Sequence, residues 1–258
     1  MDLRAKTDDC LILRGRDYNE TDRLLVVFSK SYGKLSCLAK GVRRANSRLK
    51  AGTQVFSYCR LTFSAPRGGL TLITQGQAVQ VYPQLREDLT RIAAASYMGE
   101  LLDAVLPEEK PQEDIFMLAA AMYSLLAAVE EPFLVLSCFR LRLLAALGYR
   151  LNLDGCAVCG AEAASYFLSA ERGGVVCPRC AAGFAAPYGR EQRPPRVSAE
   201  TLFLLSALGQ WDLRRVFNLR IKPAVRRDID GALNYYLQYF VGQPAVKAAA
   251  SLGVYYTV

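Results

Sequence analysis

Apolar residues follow two rhythms along this chain. Over the first 81 residues they come in short runs rich in β-branched and large side chains: DDCLILRG (8–15), DRLLVVFS (22–29), KLSCLAKGV (34–42), QVFSYCRLTFS (54–64) and GLTLITQGQAV (69–79). Turn-prone segments such as RDYNET, KSYG and SAPRGG separate them, so each run predicts a strand. Leu24, Val26 and Phe28 alternate, as do Leu35, Cys37 and Ala39, and Val55, Ser57, Cys59, Leu61 and Phe63. Alternation with period two sets each group on one face of its strand. Five short strands in so little chain suit a small closed barrel, of OB or SH3-like type.

From Tyr82 the rhythm becomes helical. Residues 86–106, 112–130 and 133–148 predict three helices. Glu113 and Asp114 stand where acids favour a helix start, Pro132 precedes the third helix, and Gly148 ends it. Residues 189–197, GREQRPPRV, are polar and proline-rich and read as a connector. Ser198 then caps SAETLFLLSALG, and a last helix runs from Pro223 to a stop at Gly242. Ile229, Leu233, Tyr236, Leu237 and Phe240 form its apolar stripe.

Between these helices lie two Cys-x-x-Cys pairs. Cys156, Cys159, Cys177 and Cys180 have the form C-x2-C-x17-C-x2-C. Each pair can bend so that two thiolates converge, and two such knuckles give a tetrahedral tetrathiolate site of the kind that holds one structural zinc ion. Gly160 helps the first turn, and Gly173–Gly174 marks a hairpin between the pairs. A redox dithiol, a pair of disulfides and an iron–sulfur cluster are the other readings of this spacing. Cys10, Cys37, Cys59 and Cys138 are scattered within apolar runs and read as small buried hydrophobes.

Charge changes the picture further. The net charge is +8, and residues 1–81 alone are +8, whereas residues 82–155 are −5. From Arg23 to Arg86 there are eleven bases and no acid. A single-sign stretch of this length attracts polyanions. Its densest part, KGVRRANSRLK (40–50), carries Lys40, Arg43, Arg44, Arg48 and Lys50, with Asn46 and Ser47 as neutral phosphate contacts. Arg14, Arg16, Arg23, Lys30 and Lys34 fall near strand ends. Phe28, Tyr32, Phe56 and Tyr58 are interleaved with these charges, as base stacking in single-strand binding requires.

Several classes lack their residues. The chain has no histidine, which removes Ser–His–Asp and Cys–His nucleophiles. There is no G-x-x-x-x-G-K-[ST] loop and no G-x-G-x-x-G. Carboxylates that would gather metal for a nuclease are missing from the basic region. The expectation is a binding protein and not an enzyme. The longest mostly apolar run, 116–129, is 14 residues, short of the about 20 a membrane helix needs, and no export signal is evident at the N-terminus, so a cytoplasmic, nucleoid-associated location is expected.

Three stretches carry a resemblance to a known family. They are residues 14–56, with the basic turn KGVRR and Ser47–Arg48 before the next strand; FRLRLLAALGYRLNLDGCAVCG (139–160), where a helix ends in Leu-Gly-Tyr and runs into the first cysteines; and the cysteine ribbon itself. Together they resemble the bacterial RecO family of recombination mediators. The resemblance implies an α+β multidomain protein: an N-terminal OB-fold β-barrel (1–81), a helical domain (82–149 and 190–258) and an embedded four-cysteine zinc ribbon (150–189). It implies binding of single- and double-stranded DNA, annealing of complementary strands, and assistance with RecR in loading RecA onto DNA coated by single-strand-binding protein, whose acidic C-terminal tail docks on the helical domain. Lys40, Arg43, Arg44, Ser47 and Arg48 match the family's basic turn. Arg140 and Arg142 are candidates for the acidic tail. The C-terminal stretch 242–251 departs from the family in holding Lys247 as its one base. A protein–protein adaptor with an incidental basic barrel is the rival reading.

Overall fold

The structure is a computed structural model describing residues 6–67, 70–183, 194–216 and 219–242. Most of the connector 189–197 and nearly all of the C-terminal stretch with Lys247 lie outside the described residues. The chain packs as two compact units, residues 6–130 and 131–242 among those described.

The first unit opens with the five expected strands: β1 (Lys6–Tyr18), β2 (Asp22–Ser29), β3 (Gly33–Ala39), β4 (Tyr58–Arg67) and β5 (Leu70–Gln80). They close in the order β1-β2-β3-β5-β4, with β4 returning to β1. All neighbours are antiparallel except β3 and β5, which run parallel. This five-stranded closed barrel is OB-like. Its interior is filled by Cys10, Ile12, Leu25, Val27, Leu35, Cys37, Ala39, Cys59, Leu61, Phe63 and Ile73.

The alternation in β3 and β4 marks core positions, but in β2 the core face is Leu25 and Val27 rather than Leu24 and Val26. Both faces of β2 are apolar, so period two does not say which one turns inward. Leu24 and Val26 are half-buried on the outer side, and Phe28 is fully buried against the helices. The fourth strand starts later than expected, at Tyr58. Phe56 has φ +62°, and its N–H donates to Ile12 O at 2.9 Å, so a turn around Val55–Phe56, tied to β1, precedes the strand.

Three helices complete this unit: α1 (Gln84–Glu87), α2 (Leu89–Val105) and α3 (Glu113–Ala128). The expected helix from residue 86 is broken at Asp88, whose side chain caps α2 by accepting from Arg91 N at 2.8 Å. Helix α2 lies against β1. Helix α3 presents Phe116 and Tyr123 to the barrel. Phe116 meets Phe28 and Tyr58 edge-on, with ring centres 5.5 and 5.9 Å apart, and Tyr123 stacks on Phe56 at 6.1 Å.

The second unit contains α4 (Pro132–Ala146), the ribbon with β6 (Ser165–Ser169), β7 (Gly174–Val176) and α5 (Pro178–Ala181), then β8 (Arg196–Ser198), α6 (Ala199–Gln210), α7 (Leu213–Val216) and α8 (Pro223–Val241). Ser198 caps α6 as expected, accepting from Thr201 N at 3.1 Å. Strand β8 carries no strand signal in the sequence. It ends the proline-rich connector and adds to β6, giving a three-stranded sheet in the order β7-β6-β8. The stripe on α8 is core: Ile229, Leu233, Tyr236 and Leu237 are buried. No helix among the described residues is long and apolar enough to cross a membrane.

Candidate functional site

Two sites follow from the residues singled out in the sequence. The first is the basic side of the barrel. The chain leaves β3 at Ala39 and makes a series of tight turns before a short 3-10 helix, Ala51–Thr53. The N–H groups of Arg44, Ser47 and Lys50 donate to the carbonyls of Gly41, Arg44 and Ser47. The loop is pinned at its root, where Gly41 N–H donates to Asp22 Oδ1 at 2.7 Å and Arg43 N–H to Thr21 O at 2.9 Å. It is pinned at its end by close packing of the 3-10 helix on β5. A Cβ at Gly52 would lie 2.4 Å from the Gly76 carbonyl carbon, so only glycine lets these two backbones meet. The loop is thus held at both ends, with Lys40, Arg43, Arg44, Arg48 and Lys50 exposed and Ser47 half-buried.

The acid-free sequence does not produce an unpaired set of bases. Arg23 and Arg43 share Asp17; Arg60 pairs with Asp9, Lys30 with Glu113, and Arg14 with Asp103. These acids come from β1 and from α2 and α3, outside the stretch that lacks them. Lys34 goes furthest. Its ammonium is enclosed between Asp103 (3.4 Å) and Glu108 (3.3 Å) and donates to Asp103 O at 2.6 Å, so it ties the barrel to α2 and has no surface to offer a phosphate. Arg16, Lys40, Arg44, Arg48, Lys50 and Arg86 form no ion pair among the described residues. Arg23, Arg43, Lys50 and Arg86 line one cleft of about 540 Å³, with Thr53 and Gln54 between them. Arg86, on α1, has no distinguishing signal in the sequence beyond ending the acid-free stretch; its nearness to Lys50 is a matter of tertiary packing.

The interleaved aromatics are largely packing residues: Phe28 and Phe56 are buried, and with half-buried Tyr58 they pack on α3. Tyr58 also donates to Asp9 Oδ2 at 2.9 Å, and burial with that carboxylate pushes its hydroxyl up to about 12. Tyr32 packs against the barrel core beneath Lys6. On the outer face of β1, β2 and β3 the side chains beside Arg14 and Arg16 are aliphatic, Leu24 and Val26 among them, so a second cleft of about 480 Å³ there has no ring on its walls.

The second site is the cysteine ribbon. The sulfurs of Cys156, Cys159, Cys177 and Cys180 all lie within 4.8 Å of one another. Cys156 and Cys159 sit on a turn closed by Gly160 N–H donating to Cys156 O at 2.8 Å, with Gly160 at φ +71°. Cys177 and Cys180 bracket the start of α5, and the β6–β7 hairpin between the pairs turns at Gly173 as expected. Burial opposes ionisation of Cys156. The N–H groups of Cys177, Cys159 and Val158 all point at its sulfur and outweigh that, bringing the thiol down to about 6. The Ala161 N–H lowers Cys159 likewise. Arg179, between the second pair, donates to the Cys159 sulfur and offsets some of the negative charge four thiolates would gather. Four convergent soft donors, two of them already biased to thiolate, can hold a metal ion and leave no open position on it.

The two arginines considered for an acidic tail are occupied within the second unit. Arg140 is 2 % exposed; its Nη1 donates to Asp230 Oδ1 at 2.7 Å and to Asn234 Oδ1 at 3.0 Å, which locks α4 to α8. Arg142 Nη2 donates to Trp211 O at 2.6 Å, at the carboxyl end of α6.

Comparison with known proteins identifies the family. Residues 1–82 match the family described as recombination protein O N terminal, and residues 86–249 match recombination protein O C terminal. Among curated relatives, the DNA repair protein RecO of Pelotomaculum thermopropionicum is 37 % identical over 232 residues, covering 90 % of this chain and 87 % of that protein. The DNA repair protein RecO of Symbiobacterium thermophilum is 33 % identical over 234 residues, covering 89 % of each. With a closed barrel, a helical region and a four-cysteine cluster in the expected order, the chain belongs to the recombination protein O family and has its role in DNA repair and recombination.

Proposed function

We propose that this chain is a DNA-binding mediator of recombinational repair that holds single- and double-stranded DNA on the barrel and anneals complementary strands. The observation that carries this reading is the cleft between Arg23, Arg43, Lys50 and Arg86, with Lys40, Arg44 and Arg48 exposed on the adjoining loop. Seven cations on one fixed scaffold grip phosphates by charge and fork-like hydrogen bonds. With Phe28, Phe56 and Tyr58 packed on α3 and Tyr18 the exposed ring at the end of β1, binding in this reading runs mainly through the phosphate backbone and leaves most base edges free. A strand held in that way can still pair with its complement, and the cationic surface screens the repulsion between two strands.

The four cysteines hold one zinc ion in this reading. The ion supplies a closed tetrahedral staple for residues 156–180 and no reactive site. Partners are RecR, the acidic tail of single-strand-binding protein and, indirectly, the RecA filament. No catalytic residue is assigned.

The test is binding of a labelled, unstructured single-stranded oligonucleotide across a salt series, with wild type and with Arg43→Glu/Arg44→Glu. Wild type should bind with a steep loss of affinity as salt rises. The double reversal should weaken binding by about a hundredfold or more at low salt and flatten the slope by about two units, one per lost phosphate contact. An unchanged slope in the variant would remove the loop from the interface.

A further inference from the structure

One carboxylate stands against two of the four cations that line the basic cleft. Asp17 Oδ1 accepts from Arg23 Nε at 2.8 Å, and Asp17 Oδ2 faces Arg43 Nη2 at 3.4 Å. Arg23 and Asp17 are directly opposite across β1 and β2, so their contact is an ordinary cross-strand pair. Arg43 is a different case. It arrives from the loop after β3 and is already anchored: its backbone N–H donates to Thr21 O at 2.9 Å, and its Nη1 donates to Glu20 O at 3.1 Å and Asn19 O at 3.4 Å. Carbonyls and backbone therefore set the place of this guanidinium without help from a carboxylate. What Asp17 adds is charge.

The three side chains are 40–48 % exposed, and exposed ion pairs of this sort are easily exchanged. A phosphodiester carries the same single negative charge and two acceptor oxygens, which suit the guanidinium fork as well as a carboxylate does. Aspartate and phosphate are then rivals for the same two partners.

We propose that Asp17 is an internal stand-in for a DNA phosphate: in the free protein it occupies Arg23 and Arg43, and a backbone phosphate entering the cleft takes both over. This rests on the barrel being the DNA-binding surface. Its consequence is that Asp17 lowers affinity and hastens release, which suits a protein that must pass its strand on.

The test uses the full chain with Asp17→Asn, which keeps shape and removes charge, and Asp17→Ser as a second replacement in case the amide misplaces Arg23. Glu20→Gln is the control. It removes the same charge from the turn that follows Asp17, but the Glu20 side chain forms no ion pair among the described residues. Binding of a labelled single-stranded oligonucleotide is measured over a salt series, with dissociation rates. Asp17→Asn should bind about five- to tenfold tighter at low salt, with slower dissociation and a steeper salt slope, as expected from removing one charge at contact distance from two cations. Glu20→Gln should change affinity less than about twofold, its charge being screened by solvent. Unchanged or weaker binding by both Asp17 variants overturns the proposal and makes Asp17 a positioning residue. An equal gain from Glu20→Gln also overturns it, leaving only a general charge effect. If wild type shows no binding at low salt, the DNA-binding reading itself falls; a wild type that binds normally, with unimproved Asp17 variants, sinks only the role given to Asp17.

Discussion

Arginine does opposite work in the two compact units. In the barrel unit, Arg43, Arg44, Arg48 and Arg86 stand around a cleft or on an exposed loop; Arg44, Arg48 and Arg86 form no ion pair among the described residues, and the Arg43 head group rests on exposed carbonyls and Asp17. In the second unit Arg140 is enclosed, with its charge spent on Asp230 and Asn234 between two helices. Cysteine divides in the same way. Cys10, Cys37 and Cys59 are fully buried in the barrel, and burial drives their thiols up, Cys59 to about 12, so they are inert filling. Cys156 is also buried, but it receives three backbone N–H groups and goes the other way. Residue type alone decides neither case. The polar groups that the fold aims at the side chain do.

The sharpest way to break the comparison is to remove metal. On the zinc reading proposed above, chelation should unfold the ribbon, because a tetrathiolate zinc site contributes on the order of 10 kcal/mol to the structure around it. Amide exchange should rise across residues 152–182 while the barrel strands stay protected. Equal loss of protection in β1–β5 would mean that the cysteines of the two regions are not independent. Next in size is Arg140→Ala, which leaves half-buried Asp230 without its cation, held only by Asn234 Nδ2 among the contacts described. Breaking such a pair costs about 3–5 kcal/mol, read as a lowered melting transition with little change in DNA affinity per folded molecule. The smallest effect, and the opposite pattern, is expected for Lys50→Ala and Arg86→Ala. Each should leave the melting transition within about 0.5 kcal/mol of wild type and weaken oligonucleotide binding about three- to tenfold, with a salt slope lower by about one unit. A large stability loss from Arg86→Ala would move it into the class of Arg140.

What can be read from the sequence follows from how local each signal is. The cysteine ribbon needs only its spacing, and Gly160 and Gly173 turn where that spacing expects them to. The barrel is legible in β3 and β4 because one face of each strand is polar or mixed. In β2 the pattern leaves the inward face open, because Leu24 and Val26 on one face and Leu25 and Val27 on the other look alike. The aromatics mislead for a related reason. Phe28, Phe56 and Tyr58 lie beside basic residues in the sequence, but the surface that covers them, Phe116 and Tyr123, belongs to a helix far downstream of the barrel. The neutralising acids are equally invisible. A stretch without acids looks like a bare cationic face until β1 brings in Asp9 and Asp17 and α2 brings in Asp103. Lys34 and Arg140 look like ordinary surface charges in sequence; only packing encloses them.

The aromatic contact between barrel and α3 has a consequence for how the chain is made. As the polypeptide emerges from synthesis, all five strands are available by residue 80, yet the outer wall carrying Phe28, Phe56 and Tyr58 stays bare until Phe116 and Tyr123 arrive. During that interval the nascent barrel exposes three rings to solvent, which is the kind of surface on which chaperones act and aggregates start. The first segment able to shield its own apolar surface is therefore about 130 residues long. A fragment cut after residue 82, where the family's N-terminal region ends, should be sticky and short-lived, while one ending near Glu130 should fold as a cooperative unit.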